Sequence, residues 1–156
     1  MVIGGCYAPG MLGRMESHHA VIAALGMRVH PEGGWFVETW RAEAPDGARP
    51  TGSAILYLLA AGERSAWHRV DAAEIWQWSA GEPLELRIWA AGEVAVTVHR
   101  LGGEVAGGES AQVVVPAGAW QSARPLGGLA LVGCIVTPAF DHEGFELAPA
   151  GWEPPV

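Results

Sequence analysis

The clearest pattern in the chain is an alternation of apolar and polar positions in its second half. Leu84, Leu86 and Ile88 alternate with Glu85 and Arg87, and Val94, Val96 and Val98 alternate with Ala95, Thr97 and His99. A period of two sends successive side chains to opposite faces, so each run predicts a strand with one apolar face. Residues 90–93 (A-A-G-E) read as the hairpin turn between them, and His99 is expected to point away from the valine face. Two continuous apolar runs, residues 53–59 and 129–136, are bounded by turn residues and predict buried strands; Val113 to Val115 adds a short one. Trp35 to Arg41 reads as a strand with Trp35, Val37 and Thr39 on one face and Phe36, Glu38 and Trp40 on the other. The H-P-E-G-G run at 30–34 before it is a turn by composition. One helix is predicted: Ser17 as N-cap, Ala20, Val21, Ala24 and Leu25 as an apolar stripe, Gly26 as the stop. Residues 1–15 read as a loose arm, with Met11 and Met15 as possible alternative starts, residues 16–150 as one domain whose stretch after Pro138 reads as irregular, and residues 151–156 as an irregular tail.

Composition supports many short strands. The 22 glycines and 11 prolines among 156 residues suit frequent turns, and half the residues are hydrophobic, enough for a sizeable core. The formal net charge is −8, with nine Lys and Arg against 17 acidic residues and no basic stretch. That balance argues against nucleic acid as a partner. No run is long enough to cross a membrane as a helix, and the first residues lack the pattern of a signal peptide, so a cytoplasmic protein is expected. Cys6 and Cys134 do not make a disulfide framework, and Cys134 sits in the apolar run L-A-L-V-G-C-I-V as a small core residue.

The chemistry concentrates in residues 62–81 (G-E-R-S-A-W-H-R-V-D-A-A-E-I-W-Q-W-S-A-G). His68 is expected near the end of one strand and Glu74 at the start of the next, with residues 71–73 as the turn. A hairpin would then bring imidazole and carboxylate together on one concave face, the minimum for an acid/base pair or a metal site. Gln121, from a strand entered after Pro116 and Gly118, is expected at the same polar end. Trp76 and Trp120 are expected as walls, and Glu38 as a further ligand contact. His18 and His19, in the first turn of the helix, read as surface residues.

Four ordered segments resemble the Cupin_5 (DUF985) family of the cupin superfamily: H-P-E-G-G-W-F-V-E-T-W-R (30–41), H-R-V-D-A-A-E-I-W (68–76), V-P-A-G-A-W-Q (115–121) and V-T-P-A-F-D (136–141). The resemblance spans about residues 20–147. It implies an all-β cupin double-stranded β-helix, a jelly-roll barrel with one N-terminal helix before it, and a homodimer, for which the face of Trp35, Val37 and Thr39 is the candidate contact. Where the cupin motifs normally supply further histidines, this chain has Val70 and Gln121. Val37 replaces a basic residue and Ala139 a glycine that the family often carries.

These substitutions argue against a tightly held catalytic metal, so no cofactor is expected. A divalent ion, if bound, would be held by His68, Glu74 and Gln121. Three readings follow. The first is an isomerase or epimerase that moves a proton beside a carbonyl of a sugar-like or other small molecule, with His68 and Glu74 as the catalytic pair. Likeness of fold to cupin sugar epimerases is what suggests that chemistry. The second is a ligand-binding or sensing domain without turnover, and the third a metal-dependent cupin.

Overall fold

The computed structural model describes residues 17–156; the expected arm, the alternative starts and Cys6 lie outside the described residues. Ser17 precedes helix α1 (His18–Leu25), which stops at Gly26 in a left-handed conformation, φ 64°. The helix buries no residue fully and lies outside the barrel's core.

Eleven strands follow among the described residues: β1 (Arg28–Val29), β2 (Trp35–Arg41), β3 (Ser53–Leu59), β4 (Ser65–Val70), β5 (Ala73–Gly81), β6 (Leu84–Trp89), β7 (Thr97–Leu101), β8 (Gln112–Val115), β9 (Trp120–Pro125), β10 (Ala130–Thr137) and β11 (Phe145–Leu147). They form two antiparallel sheets, ordered β1-β2-β3-β10-β5-β8 and β11-β4-β9-β6-β7. This is the all-β jelly-roll architecture that the strand pattern and the family resemblance predicted.

The sheets face each other across one apolar core. The first contributes Tyr57, Leu59, Trp76, Val113, Val115, Val132 and Cys134, the second Leu84, Leu86, Ile88, Leu101 and Ala123. Inward positions share parity along each strand, as alternation requires. A second apolar cluster covers the other face of the second sheet, where Trp67, Trp89, Trp120 and Ala148 pack with Val96 and Trp152. The tail beyond β11 is irregular but anchored, because Glu153 accepts from Trp67 Nε1 at 3.0 Å and pairs with Arg87 at 3.2 Å.

Three local expectations are corrected. The central stretch is not a hairpin: β4 and β5 belong to opposite sheets, and residues 71–73 turn the chain across the barrel rather than back along one sheet. The strand expected at 94–98 begins at Thr97, with Val94 93% and Val98 57% exposed. Its inward face is therefore the other parity. Leu101 is fully buried opposite Leu84, and the half-buried His99 pairs with Leu86 on the core side rather than pointing out. The pairing with β6 decides this, because Leu84, Leu86 and Ile88 already fix which face is inward. Finally, the stretch after Pro138, expected to be irregular, contains β11 paired with β4, while β1 had no expectation attached to it. Two- and three-residue strands carry too little pattern to read.

Candidate functional site

The cavity of the barrel has a volume of about 540 Å³ and opens between β1, β2, β3, β5 and β10 of one sheet and β4 and β11 of the other. At its floor are His68 from β4, Glu74 from β5, Tyr57 from β3 and Glu32 from the turn before β2. Phe36, Phe140 and Phe145 form much of the wall, and Arg28, Glu38, Arg41 and His142 stand among its charged and titratable lining.

Glu32 reaches the floor because two glycines let its turn press against the barrel. Gly33 (φ 107°) and Gly34 (φ 72°) have left-handed backbones. A Cβ on Gly33 would collide with the Arg64 carbonyl oxygen, and one on Gly34 would lie 2.7 Å from that of Leu58. Tyr57 Oη donates to the Gly33 carbonyl at 2.6 Å and pins the turn from below. The residue that composition marks as part of a surface turn is thus 8% exposed.

His68 is 2% exposed. Its Nδ1 lies 2.8 Å from the Ala66 carbonyl, which can only accept, so Nδ1 carries the proton there. Nε2 is left facing Glu32 Oε2 at 3.1 Å. The other Glu32 oxygen accepts from Ser65 Oγ at 3.0 Å. A neutral imidazole nitrogen beside a carboxyl oxygen requires a shared proton, and burial favours holding it without separated charge. Burial indeed raises the Glu32 carboxyl and lowers the His68 imidazole. It likewise lowers His30, whose Nδ1 accepts from the Glu32 amide at 3.3 Å.

Glu74 is 7% exposed and is pushed up to about 6, chiefly by burial, with His68 opposing and Glu32 adding to the rise. Its Oε2 accepts from Gln121 Nε2 at 2.6 Å, and Gln121 Oε1 accepts from Trp76 Nε1 at 2.8 Å. The expected pair therefore shares the cavity, but the carboxyl bonded to His68 is Glu32, and Glu74 has its own support. Cys134 also lines the cavity, and burial raises its thiol well above the ordinary range, so it is not poised as a nucleophile.

The remaining expected contacts divide. Glu38 does line the cavity, held by Arg41 through two hydrogen bonds of 3.2 and 2.7 Å. Gln121 is fully buried behind Glu74, and Trp76 lies in the core beneath it; both orient the carboxylate rather than form the wall. Trp120 is misplaced by the expectation. It lies on the outer face of the second sheet, with its ring 4.6 Å from that of Trp152. Residues 120 and 121 are neighbours on β9, so one pointing in sends the other out.

The donor set does not suit a metal. Both polar atoms of Gln121 are committed, which removes it from the expected ligand set, and His68 Nε2 is taken by Glu32. Among the described residues no three His, Cys, Asp or Glu side chains converge on a point where an ion would sit. Val70 lines the cavity where the cupin motif normally supplies a histidine, and contributes only an apolar surface.

Solved structures resemble the chain as a whole. A protein from Shewanella oneidensis is 34% identical with a TM-score of 0.80, over 86% of this chain and 85% of that one. A hypothetical protein from Leishmania major is 28% identical with a TM-score of 0.75, over 83% of this chain and 86% of that one. An oxalate decarboxylase of Bacillus subtilis shares the fold alone, at 16% identity and a TM-score of 0.61, with 81% of this chain covering 31% of that one. No curated protein matches the chain. The Cupin_5 family model (Cupin superfamily, DUF985) matches residues 19–148, and with the four motifs and the barrel in agreement, the chain belongs to that family.

Proposed function

We propose that the cavity binds a small carbonyl compound and moves a proton on the carbon beside the carbonyl, as an isomerase or epimerase does. One observation carries the reading: two buried acid/base groups, the Glu32–His68 pair and Glu74, share one cavity of ligand size. Glu74, with a carboxyl near 6, is suited to take a proton at neutral pH. Its carboxylate removes the α-proton, and the C–H electron pair becomes a C=C bond as the carbonyl pair moves onto oxygen. As the oxygen pair returns to re-form the carbonyl, the C=C pair takes a proton from the Glu32–His68 pair on the opposite face; on a substrate with an α-hydroxyl, transfer of that hydroxyl proton to the former carbonyl oxygen lets the proton be delivered to the adjacent carbon instead. Reprotonation of Glu32–His68 from Glu74 or solvent closes the cycle. Aromatic walls at Phe36, Phe140 and Phe145 exclude water and suit a small ring.

The test is exchange of substrate hydrogens in D2O, followed by proton NMR over a panel of small ketones, aldehydes and sugars. Loss of an α-proton signal that depends on the protein, and disappears with Glu74→Gln, supports the reading. Saturable binding of panel members with no exchange rejects it in favour of a binding module. That second reading also has an observation behind it: among the described residues every buried side-chain polar atom already has a partner, as in a site built to hold rather than to react.

A further inference from the structure

The charges lining the cavity are unequally compensated. Arg41 is held by Glu38 and also donates to the Phe140 carbonyl at 3.1 Å, so its guanidinium is committed. Glu32 and Glu74 lie at the floor, where Glu32 is engaged by His68 and Ser65 and Glu74 by Gln121. Arg28 differs: among the described residues no carboxylate pairs with it. Its guanidinium carbon lies 4.8 Å from the centroid of the Phe36 ring, and Phe36 meets His30 edge-on at 4.7 Å. Arg28 and Phe36 are also directly paired across β1 and β2, so the backbone fixes the base of the stack. An arginine stacked on an aromatic face keeps its donor edge free and loses little freedom when it binds an oxyanion. In a chain of net charge −8, an uncompensated guanidinium at the mouth of the principal cavity is a local exception to the overall charge.

We propose that Arg28, stacked on Phe36, anchors an oxyanion group, carboxylate or phosphate, on the small molecule that enters the cavity. This rests on the reading above and narrows it to anionic carbonyl compounds: the anion stays at the mouth while the carbonyl end reaches Glu74 and His68. Arg28 is then a specificity-determining residue, not an acid or base.

Titration of the 15N-labelled protein with inorganic phosphate and, separately, with acetate tests this directly. The expected result is saturable shifts at the amides of Phe36 and His30 and at Arg28 Nε–H with at least one of the two anions. Arg28→Gln should weaken that binding about tenfold or more, the size of a lost charge-assisted hydrogen bond, and Arg28→Lys by less. Arg100→Gln, on β7 and paired with Glu109, should leave it unchanged. Saturation by acetate alone assigns a carboxylate, and by phosphate alone a phosphate. Equal binding by wild type and Arg28→Gln, or no saturable shift with either anion, overturns the proposal. The two readings fail separately. Anion binding that needs Arg28, with no proton exchange on any carbonyl compound, keeps this inference and removes the catalytic one. Exchange that Arg28→Gln leaves unaltered on anionic and neutral compounds alike does the reverse.

Discussion

Gln121 Nε2 donates to Glu74 Oε2 across 2.6 Å, so a position at which cupins commonly carry a histidine ligand here supports a carboxylate. Because Gln121 Oε1 is itself held by Trp76, the amide cannot turn without breaking two buried bonds. Gln121→Leu should therefore lower stability by about 2–4 kcal/mol, since it leaves the Trp76 indole and the Glu74 carboxyl unpartnered in the interior. Urea denaturation would measure this, and a loss under about 0.5 kcal/mol would contradict the arrangement.

The raised Glu74 carboxyl has a consequence for pH. Between about pH 4.5 and about 6 the folded protein keeps a proton that the unfolded chain releases. Stability from this group is thus fully present at low pH and is lost as pH rises through that window, by about 2 kcal/mol, with no further change above it. Asp71, Glu85 and Glu109, lowered by arginine partners, act in the opposite sense, so the comparison must be with Glu74→Gln. Relative to wild type, that variant should gain stability as pH rises from 4 to 7. Parallel stability curves for the two proteins would refute the assignment.

If Glu74 is the base in proton transfer, kcat/KM should climb with pH and level off above about 6, the free-protein value of that carboxyl. Glu74→Gln should reduce exchange about 100-fold or more with circular dichroism unchanged. A flat profile between pH 5 and 7.5 would point to another base.

Glu32→Gln keeps the shape of the side chain and removes its acid. His68 Nε2 can still accept a hydrogen bond from the amide, so the fold should survive while turnover falls about tenfold or more. An NMR titration of His68 supplies a readout that a packing role would not move: its imidazole should titrate differently once Glu32 no longer shares its proton. Unchanged turnover and unchanged titration would remove Glu32 from the site.

The tail packs on the outer tryptophans, remote from the cavity. Trp152→Ala should expose Trp67, Trp89 and Trp120, cost about 2 kcal/mol, and speed amide exchange over residues 148–156 while leaving the cavity amides unaffected. Equal exchange rates in the two proteins would show that Trp152 does not hold the tail.

Part of the cavity lining was readable from residue types and spacing. His68 and Glu74 stand out as a histidine and a carboxylate between strand-like runs, and both do face the cavity. The Trp120 expectation failed on a rule available without a structure: with Gln121 inward, its neighbour must face out. Glu32 is a different kind of omission. Nothing in H-P-E-G-G says that the turn folds inward; the signal was present only as paired glycines, which permit a close approach without naming what is approached.

Alternation of apolar side chains, turn residues and strand lengths are properties of neighbouring residues, and they were enough to specify an all-β chain with one helix ahead of it. Which strands share a sheet is decided by contacts between distant residues when the barrel closes. That is why β4 and β5, consecutive and joined by a tight turn, end in opposite sheets. The same closure chose the inward face of β7, where Val98 lost to His99 and Leu101 because β6 had already set the core side. It also selected the carboxyl that meets His68. Glu32 lies far away in the chain yet sits 3.1 Å from Nε2, because Gly33 and Gly34 let the H-P-E-G-G turn pack against the backbone at Leu58 and Arg64.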